Sequence, residues 1–380
     1  MKSVYLDHQA TTPVDERVLD AMLPYFARHF GNAASRSHSY GWTSEKAVER
    51  ARRRIADLLG ASPREIVFTS GATESNNLAI KGAWEANRSR GNHLITLATE
   101  HKAVLDPLRH VEKLGAEVTV LTPSSNGLID LDKLRGAIRP ETLLISVMYA
   151  NNEIGVIQPI REIGAICRET GVLFHTDAAQ AFGKLPVDVT GCNIDLLSLT
   201  AHKIYGPKGT GALYVRRGVA LAEQMNGGGH EWGLRSGTLN VPGIVGFGEA
   251  ARICKESMEA EGERTGQLRD RLLQQIQSAL DGVRVNGALS PRLAGNLNLA
   301  FEGVDAGALL TMLPDVAVST GSACSSASPE PSHVLRALGL SAAEARSSVR
   351  FGLGRFTTAE EVDYAAGRIV EAVRQLRRPG

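Results

Sequence analysis

Residues 143–180 read LLISVMYANNEIGVIQPIREIGAICRETGVLFHTDAAQ. Two short apolar, β-branched runs, 143–149 and 172–176, flank a polar turn and an amphipathic segment that begins near Ile160. That alternation specifies a strand, a crossover helix and a second strand, because continuous apolar runs suit strands buried on both faces. The same rhythm extends outward from about residue 45 to about 216. Further strands are expected at 66–69, 93–98, 117–121, 195–199 and 212–215, with helices opening near Thr73, Ala103 and Asp130. The chain is therefore expected to be α/β, built on a mainly parallel seven-stranded sheet.

Beyond NGGGHEWGLRSGT at 226–238 the pattern changes. Residues 243–279 have heptad-like apolar spacing and dense charge and are expected to form a connecting helix pair. A strand at 294–301, a loop at 319–332 and a last helix at 359–376 follow.

Composition narrows the function classes. In 380 residues, 42 Lys+Arg against 41 Asp+Glu leave a net charge of +1, so no global field draws the chain to nucleic acid or anionic lipid. The basic run at 50–56 reads as a solvated helix face, and an aromatic content of 5% gives little support for base stacking. The four cysteines form no CxxC pair, which argues against a zinc ribbon or a disulfide framework and for a reducing cytoplasm. MKSVYLDHQATTP at the amino terminus has no apolar h-region, and no later run is long enough to span a bilayer, so neither export nor insertion is expected.

In open α/β sheets ligands bind beyond the carboxyl ends of the strands, and here those positions are polar. SGATESNN at 70–77 places Ala72 and Thr73 at a helix start, either an ordinary turn and cap or a phosphate site. Asp177 and Gln180 in HTDAAQ either cap the next helix or serve a pyridine nitrogen and a ring hydroxyl. In TAHKIYGPKG, Lys203 follows a strand and suits imine formation, with Lys208 as its rival; His202 is a phosphate contact or a turn residue. His101 in TEHKAV can stack on a ring or move protons, and Asn152 in YANNEIG can reach a ring hydroxyl or a substrate carboxylate. Arg350 in SVRFGLGRF has the fork that holds a carboxylate, with Arg355 and Arg235 as alternates. Cys324 lies among small polar residues in STGSACSSAS, whereas Cys167, Cys192 and Cys254 have the setting of buried fillers.

Taken in order, YLDHQATTP, TSGATESNN, TEHKAV, NNEIG, HTDAAQ, SLTAHKIYGPKG, RSGTLN, GSACSSAS and VRFGLGRFTT resemble the cysteine desulfurases of the class V aminotransferase family, along nearly the whole chain. The long SACSSAS loop is similar to the NifS/IscS-like group. The resemblance implies pyridoxal-phosphate fold type I, with a large cofactor-binding domain at 15–250 and a small α+β domain formed by 1–14 and 251–380. It implies a homodimer. Lys203 would be the Schiff-base lysine, Asp177 the pyridinium partner, Gln180 and Asn152 contacts of ring and substrate, and His101 the stacking residue. Ala72, Thr73, Thr200 and His202 would hold the phosphate, joined by Thr238 of the other subunit. Arg350 would bind the cysteine carboxylate and Cys324 would be the persulfide nucleophile, its thiolate favoured by His101 or the local field.

The implied reaction converts L-cysteine to L-alanine and delivers sulfur to an acceptor protein, such as an iron–sulfur scaffold or a thiolation enzyme, for cluster assembly, tRNA thiolation or DNA phosphorothioation. No stable metal site is expected; Cys324 is a candidate transient iron–sulfur ligand. Selenocysteine lyase, another class V aminotransferase and a non-catalytic pyridoxal-phosphate-fold scaffold are the alternatives. Two departures stand out. GGHEWGLRSG replaces the GGQERGLRSG common in the group, and the chain stops soon after its last helix, so docking to an IscS-type scaffold is expected to differ.

Overall fold

The computed structural model describes residues 3–320 and 330–378. After a short strand β1 (Val4–Tyr5), seven strands form the central sheet: β2 (Ile66–Thr69), β3 (His93–Leu97), β4 (Glu117–Leu121), β5 (Thr142–Ser146), β6 (Leu173–Asp177), β7 (Leu196–Thr200) and β8 (Gly211–Val215). Their order is β2-β8-β7-β6-β5-β3-β4, and only β8 runs against the others. Six of the seven are fully buried, as their unbroken apolar runs require; β4, at the edge, alternates between exposed and half-buried positions. The expected strands all form. Past the end of β5, Val147 and Tyr149 still donate to the carbonyls of His175 and Asp177, so the apolar run through Tyr149 keeps its hold on the neighbouring strand.

The expected helix pair at 243–279 is instead one helix, Val241–Ala279, of 39 residues and about 59 Å. No proline breaks it beyond its first turn, and its glycines serve close packing. A Cβ on Gly248 would lie 2.5 Å from the Ala51 Cα of helix Ser39–Leu59. The helix spans two cores. Its first half, with Phe247 and Cys254, packs on the cluster under the central sheet; its second half, with Leu272 and Ile276, packs on a separate cluster.

That second cluster lies against a three-stranded antiparallel sheet, β12-β10-β9, made from β9 (Val283–Val285), β10 (Asn296–Phe301) and β12 (Ser348–Gly352). Strand β11 (Val316–Ala317) pairs in parallel with β1, so the first residues of the chain share a core with its last quarter. The last helix, Ala359–Leu376, starts at a capping box in which Thr358 and Glu361 satisfy each other's backbone N–H groups.

The basic run at 50–56 is not uniformly solvated. Arg50 and Arg53 are exposed, but Arg52 is buried and grips Glu231 through two bonds of 2.7 and 2.8 Å. Phe68 and Trp232 cover its guanidinium, each with the ring centre 4.6 Å away. A helical arginine three residues from Glu49 looks like a surface pair in sequence; only the return of residue 231 from far along the chain buries it. Glu231 and Trp232 both adopt positive φ, 48° and 58°, a strained geometry that the ion pair and the stack help to hold. Trp232 stands where the related pattern has arginine, and so replaces a like charge with a ring face. Arg52→Ala is expected to cost about 3–5 kcal/mol, because removing one partner strands the other charge in the interior. A denaturation midpoint equal to wild type would show that the pair carries no stability.

Candidate active site

The carboxyl ends of β2, β5, β6 and β7 and the turn after β3 converge on a cavity of about 480 Å³. At one end helix Ala72–Asn87 begins. Its N-cap, Gly71, has φ 149° and ψ 177°, a region open essentially to glycine alone, and no side chain caps the helix. The N–H groups of the first turn and the positive end of the helix dipole are thus left for an anion. Thr73, Thr200 and His202 line the same cavity. His202 shares a hydrogen bond of 3.1 Å with Thr11, and burial, then the neighbouring lysines, press its pKa down to about 4. It is therefore a neutral hydrogen-bonding group at pH 7. An uncapped helix start, two hydroxyls and a neutral imidazole fit a phosphate.

Deeper in the cavity Asp177, the last residue of β6, is buried. Its Oδ2 accepts from Asn76 Nδ2 at 2.8 Å and its Oδ1 from the N–H of Ala179 at 2.9 Å. Asn76 escaped the sequence reading; one turn into a helix, its inward direction emerges only from packing. His175, also unflagged, lies two residues before Asp177 in β6 and is clamped by Ser146 at 2.8 Å and Ser198 at 3.1 Å. Burial takes its pKa down to about 4, so it adds no charge near Asp177. Such a fixed carboxylate at the cavity floor fits a ring nitrogen better than it fits a helix cap.

His101 caps helix Lys102–Lys113: its Nδ1 accepts from the Ala103 N–H at 3.0 Å. Acceptance at Nδ1 places the proton of the neutral ring on Nε2, and burial, with Lys203 nearby, lowers the pKa of the ring. His101 therefore enters the cavity as a donor. Behind it the buried Glu100 accepts from the Met148 N–H at 2.7 Å, while desolvation drives its pKa well up.

Lys203 and Lys208 both line the cavity, but Lys208 is exposed whereas Lys203 is half-buried and also borders a second, smaller cavity behind it. Gln180 and Asn152 line the main cavity. Arg350 does not. It is buried beside it, donating to the Asn152 carbonyl at 3.0 Å and pairing with Asp7 at 2.6 Å, while its Nε has no partner among the described residues. Of its alternates, Arg355 pairs with Asp15 and Glu261, and Arg235 with Glu74. Thr238 is exposed and lies away from this cavity. Cys324 lies outside the described residues. Cys167, Cys192 and Cys254 are buried, as their contexts imply.

Among the described residues, no helix is long and apolar enough to cross a membrane. The aminotransferase class-V family profile matches residues 4–365. The chain is 59% identical over 376 residues to a cysteine desulfurase IscS of Anaeromyxobacter sp. (strain Fw109-5), covering 98% of this chain and 93% of the relative. A solved NifS-like protein superposes with a TM-score of 0.92 at 36% identity, over 98% of this chain and all of that one. SspA, solved in complex with cysteine, superposes with a TM-score of 0.84 at 42% identity, over 94% of this chain and all of that one. A lysine and an aspartate on the carboxyl edge of one sheet are within reach of many folds, but kinship along almost the whole length is not, and the chain belongs to the class-V aminotransferase family.

Proposed function

We infer that the protein is a pyridoxal-phosphate-dependent cysteine desulfurase, which converts L-cysteine to L-alanine and passes the sulfur through a persulfide on Cys324. The observation that carries this reading is the meeting of Lys203, Asp177 and the uncapped helix start at Ala72 around one cavity, in a chain so close to the IscS relative. The structure of SspA with cysteine supports cysteine as the amino acid that is bound.

Pyridoxal phosphate, when bound, supplies an electron sink for bond changes at the substrate's α and β carbons. Ala72, Thr73, Thr200 and His202 would hold its phosphate, Asp177 its ring nitrogen, Gln180 and Asn152 its ring hydroxyl side, and His101 its ring face. Lys203 would anchor the cofactor and would move the α proton of the substrate. Arg350 would receive the substrate carboxylate in competition with Asp7. The Cys324 thiolate attacks the substrate sulfur, the carbon–sulfur bond breaks, and the carbon fragment takes up a proton and leaves as alanine.

Residues 15–250 would act as the cofactor-binding unit and 1–14 with 251–380 as the smaller one, the long helix Val241–Ala279 crossing between them. The exposed Thr238 suits a homodimer in which it completes the partner's phosphate site. A sulfur-acceptor protein in the cytoplasm would take the persulfide sulfur onward.

Purified protein with pyridoxal phosphate, L-cysteine and a reductant is expected to release alanine and sulfide in equal amounts with no keto acid added. A requirement for keto acid would favour an aminotransferase, turnover of selenocysteine alone a selenocysteine lyase, and no turnover of either a scaffold.

A further inference from the structure

Lys184 lies one turn beyond Gln180 in the sequence QAFGK, at a position the reaction described above does not use. Its Nζ donates to Gln180 Oε1 at 3.1 Å, which is its one hydrogen bond among the described residues, and no carboxylate comes within ion-pair distance of it. The other end of the Gln180 carboxamide donates from Nε2 to the Gln9 carbonyl at 2.9 Å. An ammonium can only donate and a carbonyl can only accept. The two contacts therefore demand the same orientation of an amide whose ends are otherwise interchangeable. They also leave the second N–H of Gln180 without a partner among the described residues, on a residue that lines the main cavity.

We propose that Lys184 is a positioning residue that locks the Gln180 carboxamide with its NH2 group toward the main cavity, where it donates to an oxygen of the bound aromatic cofactor. The assignment rests on the pyridoxal-phosphate reading and deepens it. Lys184 borders the small cavity of about 60 Å³ that Lys203 also borders and does not line the main cavity, so it acts on what binds there through Gln180. The charged groups facing it are Lys203 and Arg350, the titratable ones the protonated thiol of Cys254, His8 and His202, with Glu261 and Arg355 around the same small cavity. Burial, then the neighbouring Lys203, brings its pKa down to about 7. Below that pH it is a donor only and holds the Oε1 end of the amide; above it the neutral amine can also accept, and the Gln9 carbonyl alone still fixes the orientation.

A donor held against an oxygen that bears negative charge favours the deprotonated form of the lysine–cofactor linkage, so losing it raises the pH midpoint of the visible absorption change. Holoenzyme of Lys184→Met is expected to shift this midpoint upward by about one unit, and Lys184→Arg, which keeps the donor, to restore it. The removed charge alone would also raise the midpoint, so a double-mutant cycle separates the two routes. Gln180→Leu should shift the midpoint by itself, and adding Lys184→Met to it should shift it no further. Lys184→Ala gives the same reading if methionine is not accommodated. An unmoved midpoint in Lys184→Met, or a shift of equal size in the Gln180→Leu background, overturns the assignment while leaving the cofactor reading intact. A wild-type protein with no visible band removes both.

Discussion

Lys203→Ala is expected to lose covalent cofactor attachment and to slow alanine formation by on the order of 10²–10⁴-fold from the missing proton transfer alone. The variant should still fold, because Lys203 lies on the turn after β7 and its side chain borders two cavities instead of filling a core. The proposed phosphate contacts at Ala72, Thr73 and His202 would remain, so the cofactor should still bind, without the visible absorption of a lysine linkage. Borohydride reduction of wild type followed by peptide mapping should mark the peptide containing residue 203. Lys208 is the informative rival, since it lines the same cavity and differs mainly in being exposed. A mark on Lys208, or unchanged attachment in Lys203→Ala, would reverse the assignment.

The sequence made most of the sheet legible for a simple reason: every parallel strand except the edge strand β4 is buried and so appears as a mostly apolar run. Strand-end residues were legible too, because a lysine, an aspartate and a histidine gather just beyond such runs, although His101 also caps the helix that follows it. The helix Val241–Ala279 was misread because its glycines look like breaks, whereas Gly246 and Gly248 allow contact with Met22 and Ala51. Arg52, Asn76 and Lys184 were invisible for a related reason. Each sits on a helix or turn, and its setting depends on what lies beyond its own element: Glu231, Asp177, or the second cavity. Local pattern reports which way a residue faces its own element. It does not report what arrives from elsewhere to cover it.

The pairing of Arg350 with Asp7 shows the same limit at the site itself. Sequence offered a carboxylate-binding arginine, and the structure supplies a carboxylate from the first strand region of the chain. On the proposed reading a substrate carboxylate would compete with Asp7 for Arg350. The buried Nε of Arg350 has no partner among the described residues.

Cys324→Ser is expected to leave folding, colour and dimerisation unchanged and to cut sulfide release from L-cysteine by on the order of 10³-fold or more, the scale seen when a covalent nucleophile is removed. The three other cysteines make the contrast sharp. Cys167, Cys192 and Cys254 are all buried, and burial raises each thiol's pKa, that of Cys254 to about 11, against about 8.5 for a free thiol. At neutral pH they are almost wholly protonated and shut away from any acceptor, so they are poor attackers of a substrate sulfur. Cys324 stands among small residues in sequence, and a single-atom change there is expected to disturb little packing. The variant should still bind L-cysteine, with Lys203, Asp177 and Arg350 intact, and should give the spectral change of substrate binding without turnover. A hydroxyl cannot replace a thiolate in attack on sulfur at this pH, so the block falls on transfer alone. Mass spectrometry after wild-type turnover should find 32 Da, about one sulfur atom, added to the peptide containing residue 324. Wild-type rates from the serine variant, or the added sulfur on Cys167, Cys192 or Cys254, would refute the nucleophile while leaving the roles of Lys203 and Asp177 standing.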